Sequence, residues 1–233
     1  MTRARPRALV VQHQEDAPAG HVGERLSQRG WDVVVAWAED AAQGDPTQVD
    51  ALVLLGSRES AWDDAVPFLA GELALLCEAD AADVPILGVC FGAQALARAL
   101  DGEVHRAARP EIGWVRVDSD VPELVEPGPW LACHRDVLVP PPGAKEIARS
   151  DAGPQAFVRG RSLGVQFHPE AGPDEIASWA QAYADELATL GTDRAALVAD
   201  TARAQPAARA RAHRLVDRWL AAVASDRDAP GAP

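Results

Sequence analysis

Apolar and polar positions alternate between two periods along the first hundred residues. Ala8 to Gln12, Asp32 to Ala36 and Ala51 to Leu55 are short apolar runs of strand length, while Gly20 to Gln28 carries Val22 and Leu26 at helical spacing and stops near Gly30. A second helix is predicted over Pro67 to Ala79. Ile86 to Val89 then forms an apolar run suited to a strand covered on both faces, and Ala93, Leu96, Ala97 and Leu100 recur at helical spacing after it. Repeated β-α order predicts an α/β fold, mostly a parallel sheet with helices on both faces and its functional groups at the carboxyl ends of the strands.

Beyond residue 100 the texture changes. Short β segments at Val115 to Val117, Ala156 to Arg159 and Leu163 to Phe167 are separated by turns such as Pro140-Pro141-Pro142-Gly143, which predicts a small peripheral antiparallel portion. Thr192 to Ala212 is rich in Ala and Arg, and Leu215, Val216, Trp219, Leu220 and Val223 form one apolar stripe on a helix. The expected organisation is one domain over residues 1–190, a helical extension over 191–224 that packs on it, and a disordered tail over 225–233. A partner-binding helix is the other reading of that stripe.

Composition narrows the class. A chain of 233 residues with 48% hydrophobic and 24% charged residues can bury a large core. Its net charge of -13 argues against a nucleic-acid-binding surface or an acidic membrane as partner. Three cysteines (Cys77, Cys90, Cys133), without paired spacing, suit a reducing compartment, so a cytoplasmic protein is expected. Cys77 lies among Leu73, Leu75 and Leu76 in a helix pattern and is expected to pack in the core. No apolar stretch reaches membrane-spanning length, and the run after Arg3, Arg5 and Arg7 is too short for a signal peptide.

The chemistry is concentrated in two motifs. Cys90 sits in Gly88-Val89-Cys90-Phe91-Gly92, where a buried strand turns into a helix and a glycine stands two residues to each side. Such an elbow exposes a nucleophile, and the helix N-terminus favours thiolate and can hold an oxyanion. A lone cysteine in an apolar run is ordinarily core packing, so a second feature is needed. Gly164-Val165-Gln166-Phe167-His168-Pro169-Glu170 supplies it. Alternation puts Gln166 and His168 on one face of a strand and Val165 and Phe167 on the other. If the chain stays extended through Pro169, Glu170 shares a face with His168 and can accept its ring proton, which leaves the other nitrogen for sulfur. His13, His21, His105, His134 and His213 form no metal motif and are read as surface or hydrogen-bonded residues; no metal or cofactor is expected.

Gly-Val-Cys90-Phe-Gly-Ala-Gln followed by Gly-Val-Gln-Phe-His168-Pro-Glu170 resembles the class I, or triad, glutamine amidotransferases, in particular stand-alone members similar to the amidotransferase domain of GMP synthase. The likeness runs over roughly residues 7 to 185 and extends to Leu52-Val53-Leu54-Leu55-Gly56-Ser57, Glu111-Ile112-Gly113-Trp114, His134-Arg135-Asp136 and Gln155-Ala156-Phe157. It implies a three-layer, flavodoxin-like fold, with Cys90 as nucleophile, His168 as general base and acid, and Glu170 as orienting carboxylate. It also implies an oxyanion hole from the backbone amides of Ser57 and Phe91, with Gly56 and Gln94 beside the substrate. The chain departs from the family's Gly-Gly-Pro loop at Ser57 and Arg58. A serine at positive φ there would carry strain on the order of 1 kcal/mol or more.

The expected activity is hydrolysis of the side-chain amide of L-glutamine to glutamate and ammonia, without cofactor. The ammonia would go to a separate synthase, since no phosphate-binding loop of the G-x-x-x-x-G-K-[ST] type is present. Hydrolysis of another γ-glutamyl amide, or a silent regulatory subunit that keeps the fold, are the alternatives.

Overall fold

The central strands show no alternation because both of their faces are covered. The computed structural model describes residues 5–228, with side chains to residue 224. Along the chain it contains β1 (Arg7–Gln12), α1 (Gly20–Gln28), β2 (Asp32–Trp37), α2 (Ala38–Ala41), β3 (Ala51–Leu54), α3 (Leu69–Ala81), β4 (Ile86–Val89) and α4 (Phe91–Ala99). There follow β5 (Glu103–Ser119), β6 (Gly128–Val139), β7 (Lys145–Ser150), β8 (Gly153–Arg159), β9 (Ser162–Val165), α5 (Pro173–Ala182), α6 (Ala184–Leu190) and α7 (Arg194–Asp228). All nine strands join one sheet in the order β2-β1-β3-β4-β9-β8-β7-β5-β6. From β2 to β9 neighbours run parallel, and from β9 to β6 they run antiparallel.

One face of the sheet is covered by α1 and the C-terminal half of α7, which bury Val22, Leu26, Leu215, Val216 and Trp219 against Val10, Val53 and Val89. The other is covered by α3 and α4, whose Leu75, Leu76, Ala93 and Leu96 meet Leu52, Leu54 and Ile86. Every residue of β3, β4 and β9 is buried, which is why these strands read as unbroken apolar runs.

Strand register builds the site. Val11 pairs with Leu54, Leu54 with Gly88, and Gly88 with Gly164. The residues two positions further on, His13, Gly56, Cys90 and Gln166, therefore leave the sheet side by side at its carboxyl edge.

The structure differs from the sequence reading in four places. The antiparallel portion extends well beyond the short segments expected: β5 and β6 form a long hairpin with a bulge between Arg106 and Glu111. Pro110 and the exposed charges of β5 obscure its alternation. The last strand ends at Val165 instead of Phe167, and His168 is held by its backbone N–H to the Leu131 carbonyl at 2.7 Å. Cys77 is exposed, not packed in the core, because it lies on the outer side of α3 and its Sγ approaches the Ala99 carbonyl at 3.1 Å. Helix α7 is continuous to Asp228, four residues into the segment expected to be a tail; residues 229–233 lie outside the described residues.

Candidate active site

Cys90 occupies the junction of β4 and α4 with φ 52° and ψ -107°, a backbone conformation that costs a non-glycine residue about 1–3 kcal/mol. The surroundings hold it there. Its N–H donates to the Val165 carbonyl at 2.8 Å, and its carbonyl accepts from Gln94 N–H at 3.0 Å. The flanking glycines are required by backbone approach: a Cβ on Gly88 would stand 2.6 Å from the Gly92 carbonyl oxygen, and one on Gly92 would overlap the backbone of Leu54. Phe91 begins α4, so its N–H is one of the helix's free N-terminal donors beside the thiol.

His168 stands beside this elbow. Its Nδ1 lies 2.7 Å from Glu170 Oε1, with both side chains buried, and its ring packs against Trp179 at 4.6 Å between centroids. The backbone of Glu170 is anchored from behind: His21 N–H, at the start of α1, donates to the Glu170 main-chain carbonyl at 3.0 Å. Gly20 (φ 43°) leaves room for that carbonyl, which any Cβ would overlap. Burial by itself would push the His168 imidazole down, but the Glu170 carboxylate and Cys90 outweigh it and hold the ring well above its ordinary value. Its Nε2 is buried without a hydrogen-bond partner of normal geometry.

Gly56 lies between the two. A Cβ added there would be 3.0 Å from His168 Cε1 and 3.8 Å from Cys90 Cβ. Glycine is thus needed for space and not for backbone freedom. Ser57, where strain was the concern, is not among the described non-glycine residues with positive φ, which are Asp83, Cys90 and Asp101. The Ser-Arg replacement therefore carries no left-handed strain. Arg58 N–H donates to Gln14 Oε1 at 3.0 Å, its guanidinium pairs with Asp16, and its carbonyl accepts from Arg135 at 3.1 Å.

Ser57, Cys90, Phe91, Gln94, Cys133 and Tyr183 line one cleft; Gly56, Ser57, Cys133, His168 and Trp179 line an adjoining one. Gln94 is buried at the first cleft's wall and donates to Gln166 Oε1 at 3.1 Å, while Gln166 Nε2 lies 3.6 Å from Cys90 Sγ. Gln166, which alternation places on the His168 face, is thus a further neighbour of the sulfur, beyond the residues that the motifs single out. His13 and Glu72, a further buried pair at this edge, carried no sequence signal beyond the position of His13 at a strand end. His134 is buried with Nδ1 3.0 Å from the Asp136 carbonyl and Nε2 3.0 Å from Glu111, a second polar cluster. Among the described residues no group of three or more His, Cys, Asp or Glu side chains could hold a metal ion, and no helix is long and apolar enough to cross a membrane.

The arrangement places a thiol at the N-terminus of a helix, beside an imidazole oriented by a buried carboxylate. Comparison with known proteins points the same way. Residues 20–178 match the family described as glutamine amidotransferase class-I. The chain is 34% identical over 146 residues to the glutamine-hydrolyzing GMP synthase of Parafrankia sp. (strain EAN1pec), covering 59% of this chain and 26% of that protein. It is 34% identical over 128 residues to the Thermus thermophilus enzyme of the same name, covering 52% and 24%. It thus spans about a quarter of the length of these curated relatives. Among solved structures, a glutamine amidotransferase from Thermotoga maritima superposes with a TM-score of 0.83 at 26% identity, covering 94% of this chain and 99% of that one. One from Methylobacillus flagellatus gives 0.85 at 26% identity, covering 94% and 96%.

Proposed function

The chain belongs to the glutamine amidotransferase class-I family, and on that premise we propose that it hydrolyses the side-chain amide of L-glutamine to glutamate and ammonia through a thioester on Cys90. The observation that carries this reading is the convergence of an elbow cysteine with a buried His168–Glu170 pair, its Nδ1 and Oε1 2.7 Å apart, around one glycine.

The Cys90 thiolate attacks the amide carbon, and the carbonyl oxygen, now an oxyanion, accepts from the N–H groups of Ser57 and Phe91. His168, held protonated by Glu170, gives its Nε2 proton to the amide nitrogen as the C–N bond breaks, and ammonia leaves. The now neutral imidazole takes a proton from water, hydroxide adds to the thioester carbon, and the C–S bond breaks to release glutamate and restore the thiolate. Glu170 stays bonded to Nδ1 throughout and fixes the tautomer that makes Nε2 the working nitrogen. Gly56 and Gln94 border the substrate. The relatives named for GMP synthesis support delivery of the ammonia to a synthase partner, in a cytoplasmic setting suited to free thiols.

The test is ammonia and glutamate release by purified protein from glutamine and from γ-glutamyl amines, together with labelling by a glutamine-analogue electrophile. Glutamine turnover that is abolished in Cys90→Ala and His168→Ala, with label on Cys90 alone, is expected. Preference for a γ-glutamyl amine would replace the substrate. Equal turnover by wild type and Cys90→Ala would remove the nucleophile, and silence toward every substrate with Cys90 unlabelled would favour a regulatory subunit.

A further inference from the structure

We propose that His13 and Glu72, a buried pair outside the triad, are positioning residues that set the orientation of the Gly56–Ser57 peptide and so aim the Ser57 N–H at the oxyanion. The inference rests on the amide-hydrolysing reading of Cys90 and concerns how its oxyanion hole is held.

His13 leaves β1 in the same row as Gly56. Its side chain is 1% exposed and that of Glu72, on α3, is fully buried. Its two ring nitrogens face two acceptors: Nδ1 lies 3.1 Å from the Gly56 carbonyl oxygen and Nε2 lies 2.8 Å from Glu72 Oε1. A carbonyl oxygen only accepts, so Nδ1 must carry a proton. A second proton must then lie between Nε2 and the carboxyl group, whether on nitrogen or on oxygen. Either way the pair is neutral as a unit, which suits a site closed to water. Without Glu72, a neutral imidazole would be free to place its one proton on Nε2, turning a bare Nδ1 lone pair toward the Gly56 oxygen.

The carbonyl held by His13 belongs to the same peptide unit as the Ser57 N–H. No cis peptide bond occurs among the described residues, so the C=O and N–H of that unit point in opposite directions. Fixing the oxygen on His13 directs the N–H away from His13. Ser57 lines the cleft that also contains Cys90 and Phe91, where a substrate carbonyl would lie. The His13 ring also packs edge-on against Phe91, with centroids 4.9 Å apart, and against Phe68 at 5.1 Å. One imidazole thus touches Phe91 and the Gly56 carbonyl, whose peptide carries the Ser57 N–H. Arg58, next along the loop, is held by Gln14 and Asp16 just after His13, so the segment following β1 supports this loop through side chains.

The experiment compares wild type, the double variant His13→Phe/Glu72→Leu and the single variant Glu72→Gln by melting temperature, glutaminase kinetics and crystal structure. Replacing a buried pair by apolar residues of similar volume generally preserves folding, so the double variant is expected to melt within a few degrees of wild type. Its kcat should fall about ten- to a hundredfold, with KM changed less than about threefold, because the lost interaction acts on the oxyanion and not on bound glutamine. Glu72→Gln should recover kcat to within about tenfold of wild type, since the glutamine amide can donate to Nε2 and keep the proton on Nδ1. In the crystal the Gly56–Ser57 peptide should be rotated in the double variant and unrotated in Glu72→Gln. A folded double variant with kcat within threefold of wild type, or with that peptide in the wild-type orientation, overturns the inference. If wild type itself releases no ammonia, the proposed activity fails by itself, and the peptide orientation in the two variants still decides the role of His13.

Discussion

Nδ1 of His168 and Oε1 of Glu170 are 2.7 Å apart and sealed from water, so the imidazole next to Cys90 is protonated more readily than a free histidine. Burial opposes this and the two neighbouring groups overcome it. Glu170→Gln removes the anion while keeping the shape. The folded protein should persist with kcat lowered on the order of 10²-fold or more. In the proposed mechanism, deprotonation of His168 would remove the acid that releases ammonia, so activity should fall on the alkaline side as pH passes its pKa. Loss of the carboxylate lowers that pKa. The alkaline limb of the kcat profile should therefore move to lower pH in Glu170→Gln, as a pH series on both proteins would record.

Gly56→Ala tests whether the glycine serves space or backbone freedom. The added methyl would meet His168 Cε1 at 3.0 Å, and the ring must give by a few tenths of an ångström. Activity should fall about tenfold to a hundredfold with little change in melting temperature. Gly92→Ala, whose methyl would overlap the Leu54 backbone, should instead fail to fold stably. Circular dichroism melts beside ammonia release separate the two.

Ser57→Gly gives a sign test on the altered loop. Ser57 has no positive φ, so glycine relieves nothing and only enlarges the unfolded ensemble. A destabilisation of about 0.4–1 kcal/mol is expected in chemical denaturation. Stabilisation would mean that the serine is strained after all.

Much of the candidate site is legible in the sequence because the elbow and the His-x-Glu segment are each contiguous, so Cys90, Phe91, His168 and Glu170 carry local patterns. Gly56 could be located as a strand end. What local pattern could not supply was lateral register. Gln166 meets the Cys90 sulfur only because β4 and β9, 76 residues apart at these positions, pair in one particular register. His13 and Glu72 are 59 residues apart, and each alone reads as an ordinary polar residue. The long β5–β6 hairpin is illegible in the sequence for a different reason: its solvent-facing positions carry charge, its pairing shifts at a bulge, and Pro110 and Pro129 read as breakers. The central strands were plain because burial on both faces leaves them uniformly apolar.

Asp217 ties α7 to α1 through Arg25 (2.8 and 2.6 Å) and Arg29 (2.6 Å), and hydrogen bonds from these guanidinium groups hold its carboxyl far below the usual range. A depressed carboxylate contributes stability that is full above its unfolded value, near 3.9, and is lost as pH falls through the folded value. Solvent screening reduces this partly exposed network to about 1 kcal/mol. Asp217→Asn should thus lower the melting temperature at neutral pH by about 2–4 °C. The gap between the two proteins should narrow in strongly acidic buffer, with glutamine hydrolysis unaffected at pH 7.

The row formed by His13, Gly56, Cys90 and Gln166 has a kinetic consequence. Its members come from β1 and from the ends of β3, β4 and β9, spread over more than 150 residues of chain, so the chemistry has no local precursor. The proposed site would be complete only once the most distant strand has docked. In a refolding experiment, recovered ammonia release should be among the last signals to return, lagging helical ellipticity because closing such long loops is slow. The proposed catalysis would in that sense be a readout of the completed sheet.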